Sequence, residues 1–167
     1  MTGAWSADDW KEFFMFTDDQ FKLLLPLACA WAEKQELKIL RDGVPLSPAQ
    51  ITDAQIIGAA HPEKVRLLKV TRVPLPLHSV LRIAVKVTRR IPPAPAGLTL
   101  RYGIFIRADH WDSRKLVFHE LVHTAQYERL GGFKQFLHPY LTECLKIGYP
   151  NGPLEQEAIQ TTARLCV

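Results

Sequence analysis

The stretch VFHELVHTAQY (117–127) sets His119 and His123 four residues apart, with Glu120 directly after the first histidine. On a helix, residues at this spacing lie one turn above each other, with β-carbons about 5–6 Å apart. Both imidazoles can then reach one ion at about 2.0–2.1 Å each. Glu120 is turned about 100° around the axis, too far round to join that coordination easily. It can instead take a proton from an ion-activated water, because zinc lowers the pKa of such a water towards about 7. The same carboxylate can later deliver the proton to a leaving amine. H-E-x-x-H is the spacing that this division of labour requires. The competing expectation is an ordinary amphipathic helix carrying hydrogen-bonded histidines, since Phe118, Leu121, Val122 and Ala125 form an apolar stripe suited to burial.

A catalytic zinc site needs three protein ligands and an open position for water. Downstream of His123 the candidates for the third are His138, Glu143, Glu155 and Glu157. In PLEQEA (153–158) both glutamates fall in the first turns of a helix, whose positive end favours carboxylates. Two residues apart they point roughly 200° apart, so one of the two should meet the ion. Tyr127, His138, Tyr140 and Tyr149 carry donors suited to stabilising a tetrahedral oxyanion, with aromatic or polar packing as the plainer role for each.

The elements that must position these residues follow from caps and periodicity. SADD (6–9) and TDDQ (17–20) resemble capping boxes before two apolar helical runs, the second kinked or started at Pro26. DGVPLSP reads as a turn, and SPAQ (47–50) starts a helix with Pro48 at its first position, stopping before His61-Pro62. Strands are expected at 65–73, at 79–88 and at 98–108, where Gly103 marks a bulge or a close approach. IPPAPAG (91–97) is a proline-rich loop. Asp112 or Ser113 caps the histidine helix, which Gly131-Gly132 ends. A further helix follows, kinked or interrupted at Pro139 and closed by Gly148, and a last one opens at Pro153. Helices, then strands, then helices predict an α+β fold. A single domain over 1–167 is expected, with a helical part (1–62), a strand-rich part (63–108) and a metal-binding helical part (109–167).

Composition bounds the alternatives. Hydrophobic residues are 47% and charged residues 23%, the balance of a globular chain. The start, MTGAWSADDW, is acidic where a signal peptide is basic, and the most apolar run (21–32) is too short to span a bilayer. A soluble, cytoplasmic protein with no membrane partner is therefore expected. Cys29, Cys144 and Cys166 are odd in number and lack C-x-x-C spacing, which argues against disulfides and a thiolate metal site. Residues 61–115 hold twelve basic and three acidic side chains. That section could face nucleic acid, although charges alternating along strands read more simply as a solvated sheet face.

With these motifs in place, the chain resembles the zincin metallopeptidases, in the branch whose third ligand is a glutamate on a later helix. It is similar to small bacterial predicted metallopeptidases of uncertain function, which share HELVH, then QY, RLG, a GY turn and P-x-E-x-E-A. Here these are His119–His123, Gln126-Tyr127, Arg129-Leu130-Gly131, Gly148-Tyr149, then Pro153, Glu155, Glu157 and Ala158. The likeness covers about residues 98–160, is weaker from 44 to 90 and is negligible in the first forty. It implies one Zn2+ held by His119, His123 and Glu155, with Glu120 as general base. The branch often has an aspartate four residues after that glutamate to orient a histidine; Ile159 stands there, so another partner must fix the imidazole, or Glu157 is the ligand. Gln126 and Arg129 stand where H-E-x-x-H-x-x-G-x-x-H needs glycine and histidine, which excludes the metzincin arrangement. The resemblance also implies that the segment LTLRYGIFIR pairs with extended peptide. The expected function is a zinc-dependent peptidase acting on a peptide or protein substrate. The alternatives are a non-catalytic zinc-stabilised binding module and a nucleic-acid-associated zincin.

Overall fold

In the computed structural model the described residues are 18–76 and 94–166, and the architecture is α+β. The start at SADD, the strand expected at 79–88 and the first part of the proline-rich loop lie outside them. Helix α1 (Asp18–Asp42) continues through Pro26 rather than starting there. Proline removes one backbone N–H from the ladder, yet Leu25, Ala28, Ala32, Glu36 and Ile39 are all buried along one face. Packing of that face holds the turns on either side of the proline.

Four strands form one mixed sheet in the order β1-β2-β4-β3. β1 (Val44–Pro45) lies in the segment expected to be a plain turn and pairs antiparallel with β2 (Arg66–Val70). β2 is parallel to β4 (Gly103–Arg107), which is antiparallel to β3 (Gly97–Leu100). The single strand expected over 98–108 is thus a hairpin. Its turn is Arg101-Tyr102, with Arg101 at φ 58°. No Asn-Gly or Asp-Gly marks this turn in the sequence; distant groups hold it instead. Glu36 on α1, 2% exposed, accepts two hydrogen bonds from the Arg101 guanidinium (2.9 and 2.7 Å) and one from the Tyr102 N–H (3.1 Å). The Thr124 hydroxyl donates to the Arg101 carbonyl at 2.9 Å. The close approach expected at Gly103 is present: a Cβ there would sit 3.0 Å from the Ile39 Cβ, so only glycine lets α1 lie this close to β4.

β4 is buried on both faces, and its alternation divides the core. Phe105 joins Leu25, Ala32, Tyr127 and Phe136. Ile104 and Ile106 join Leu46, Val65, Val117 and Leu121. Helix α2 (Pro48–Ile57) begins with a full Ser47–Gln50 capping box and stops at Gly58, at φ 92°, a little earlier than the His61-Pro62 boundary suggested. Asp53 on α2, 5% exposed, forms a two-point ion pair with Arg114 at the start of α3 (Arg114–Leu130). Ser113 caps α3 and Gly131 ends it, as expected. α4 (Phe133–Lys146) continues through Pro139, and α5 (Pro153–Leu165) opens with Pro153 in its first turn.

Candidate metal centre

Helix α3 packs between β3 and α5. The Ser113 cap and the buried Val117, Phe118, Leu121 and Val122 set its rotation, so that one stripe carries His119, His123 and Gln126. Opposite stands the first turn of α5, where Pro153 is pre-organised for helix and Glu155 enjoys the positive helix end. Glu143 fastens this turn by accepting the Leu154 N–H at 2.9 Å.

His119, His123 and Glu155 form a group that could hold a metal ion, with ligand atoms all within 4.8 Å of one another. His119 Nε2 lies 3.2 Å from Glu155 Oε1, and His123 Nε2 lies 3.4 Å from Glu155 Oε2. Tetrahedral coordination with bonds of about 2.0–2.2 Å has donor-to-donor edges of roughly 3.3–3.6 Å, and these two separations lie close to that range.

Hydrogen bonding supports the same fit. The Leu154 carbonyl can only accept, so Gln126 turns its amide nitrogen towards it, at 2.9 Å. That nitrogen also lies 3.1 Å from Glu157 Oε2. The amide oxygen is left facing His123 Nδ1 at 2.8 Å, and Nδ1 must therefore carry a proton. A neutral His123 then keeps its lone pair on Nε2, aimed at a carboxylate oxygen. Two acceptors in that position need a cation between them. Glu155 Oε1 is also buried, makes no well-formed hydrogen bond and faces His119 Nε2 at 3.2 Å. Absent a metal, a proton must serve: burial lowers the basicity of His123, but Glu155, Glu120 and Gln126 together raise it. Burial likewise disfavours the Glu155 carboxylate, yet the two histidines hold it well below the usual range.

Glu120 is buried beside this group without belonging to it. The Thr99 hydroxyl on β3 lies 2.7 Å from Glu120 Oε2 and 2.9 Å from its backbone carbonyl. Gly97, also on β3, lies against the same carboxylate: a Cβ there would collide with Oε1 and sit 2.8 Å from Cδ. β3 thus forms the bed of the glutamate and is an edge of the described sheet.

The other candidate ligands are placed elsewhere. Glu157 pairs through both oxygens with Arg129, at 2.7 and 2.8 Å. Glu143 caps α5, and the His138 ring packs edge-on against Phe21 at 5.3 Å. The three cysteines are free thiols, and burial foremost pushes Cys144 up to about 12, so it stays protonated.

Of the oxyanion candidates, Tyr127 is buried and stacked on Phe136 at 3.8 Å. Tyr140 donates to Glu155 Oε2 at 3.0 Å. Tyr149, 38% exposed, lines the cavity at the site, and burial and the Glu155 charge raise its phenol above its ordinary value. It is therefore the neutral donor most open to an incoming group.

Sequence reasoning did not single out Gly97 or Thr99 as partners of the site, and nothing local marks them; Tyr140, a candidate for the oxyanion, donates to Glu155 instead. Gln126 carries a signal, since it lies three residues after His123 on the same helical face. Several arginines of the basic section serve internal contacts: Arg101 binds Glu36, Arg107 binds Asp109 and Arg114 binds Asp53.

Compared with known protein families, curated proteins and solved structures, the chain matches none. Its site must be judged on its own geometry. No helix among the described residues is long and apolar enough to cross a membrane.

Proposed function

We propose that this chain is a zinc-dependent peptidase, in which His119, His123 and Glu155 hold one Zn2+ and Glu120 is the general base. The observation that carries this reading is the convergence on one carboxylate: the His123 Nε2 lone pair faces Glu155 Oε2 at 3.4 Å, and His119 Nε2 faces Glu155 Oε1 at 3.2 Å. Two imidazoles and one carboxylate are the donor set of a catalytic zinc site with a vacant fourth position. When bound, zinc supplies Lewis acidity that polarises a carbonyl and acidifies a water.

The chain's own residues supply the rest. The Thr99 hydroxyl, whose single proton can reach Glu120 Oε2 or the Glu120 carbonyl, steadies this side chain, and the carboxylate takes a proton from the attacking water and hands it to the leaving amine. Gln126 holds the His123 ring in one tautomer and Tyr140 steadies Glu155. Tyr149 offers its hydroxyl to a developing oxyanion. A buried carboxylate oriented by its own hydroxyl partner, beside three ligands but not one of them, favours catalysis over a purely structural ion. A structural ion would need only the link between α3 and α5.

The test measures zinc per chain and cleavage of an unfolded protein substrate. Wild type should carry about one zinc, His119→Ala and Glu155→Ala should lose it, and Glu120→Gln should keep it while cleavage stops. Full metal retention in both ligand variants overturns the site. A fully active Glu120→Gln variant overturns the catalytic role.

A further inference from the structure

We propose that the cavity beside the candidate metal centre receives one large, uncharged apolar side chain of the substrate, at a residue flanking the cleaved bond, and that Ala28 and Ala32 set its size. This rests on the peptidase reading above.

The cavity has a volume of about 190 Å³ and reaches from His119, Glu120, His123 and Glu155 to α1 and α4. Beyond those four residues, no aspartate, glutamate, lysine, arginine or histidine lines it among the described residues. A charged substrate side chain entering there would shed its water and find no partner, which is strongly unfavourable. An apolar one gains by the same burial. One wall is Ala28 and Ala32, one helical turn apart on α1 and 6% and 1% exposed. The same buried face carries Leu25 and Ile39. Both methyl side chains line the cavity, so a larger side chain at either position is the direct way to reduce its volume. Leu98 on β3 and Leu137 and Leu141 on α4 close the other sides. Because the cavity and the candidate ligands share a boundary, a side chain seated in it holds its own backbone at the centre.

The experiment uses zinc-loaded full-length Glu120→Gln protein and short capped peptides that differ at one position: Leu, Phe, Ala, Glu or Lys. Binding is measured by calorimetry, and the same peptides are offered to the wild-type enzyme. Leu and Phe peptides should bind at least about tenfold more tightly than Glu and Lys peptides. Ala28→Leu and Ala32→Leu should shift the preference towards the Ala peptide with zinc content unchanged. Leu141→Ala should extend it towards larger side chains, and serves if a filled-in variant fails to fold. Equal binding of all five peptides, or a preference that none of these variants moves, overturns the assignment. Selective binding without any wild-type cleavage supports the cavity and removes the peptidase. Cleavage without selectivity does the reverse.

Discussion

Gln126 Oε1 lies 2.8 Å from Nδ1 of His123, and the Leu154 carbonyl decides which end of the amide points there. A backbone oxygen on α5 thus sets the tautomer of a histidine on α3. Gln126→Leu removes the acceptor while nearly keeping the volume. Loss of such an orienting partner typically costs about 10- to 100-fold in metal affinity, and competition with a chromophoric chelator should show a drop of that size. Unchanged affinity would mean that the hydrogen bond does not hold the ring.

Thr99→Val deletes the hydroxyl beside Glu120 and keeps the side-chain shape. Zinc content should stay constant, while kcat falls about tenfold or more with little change in KM. Thr99→Ser should recover most of the rate. Because the buried carboxylate loses a donor, stability should fall by about 1–3 kcal/mol, read from urea unfolding. A Val variant as active as wild type contradicts the positioning role.

Gly97→Ala asks a steric question of the same carboxylate. The added methyl would meet Glu120 Oε1, so the glutamate or β3 must shift. Activity should collapse while metal binding survives, because the three atoms nearest the added methyl all belong to Glu120. Crystallography of the variant should show the Glu120 side chain displaced; an unmoved carboxylate with normal turnover rejects the cradle.

The two glutamates of α5 should separate cleanly. Glu155→Gln removes a ligand and should abolish stoichiometric zinc. Glu157→Gln weakens a half-exposed pair with Arg129, worth at most about 1 kcal/mol, and leaves an amide oxygen able to accept from Gln126. It should therefore retain the metal, as elemental analysis of both proteins will show. The opposite result makes Glu157 the ligand.

Chelation should destabilise the fold itself, because the ion would join α3 to the start of α5. At free zinc 1,000-fold above Kd the linkage is worth about 4 kcal/mol, so the melting temperature should drop clearly in excess chelator and return on adding zinc. A melting temperature indifferent to chelator and zinc argues against any bound ion.

Local signals were sufficient for much of this molecule. The four-residue spacing of His119 and His123, the Ser113 cap, the Gly131 stop and Pro153 at the start of α5 each act within a turn or two of helix. Periodicity and capping carry such information because their causes are neighbours in the chain. The α+β order was legible for the same reason.

What the linear order left open was decided by contacts between residues far apart. PLEQEA offers two carboxylates, and only the packing of α5 on α3 turns Glu155 to the histidines while Arg129 takes Glu157. Residues 98–108 look like one strand, and the turn at Arg101 exists because Glu36, sixty-five positions earlier, neutralises and hydrogen-bonds it. Thr99 and Gly97 are ordinary strand residues until β3 is laid against Glu120. Side-chain type and short-range spacing determine which groups can do chemistry; the long-range packing of helices and sheet determines which of them meet.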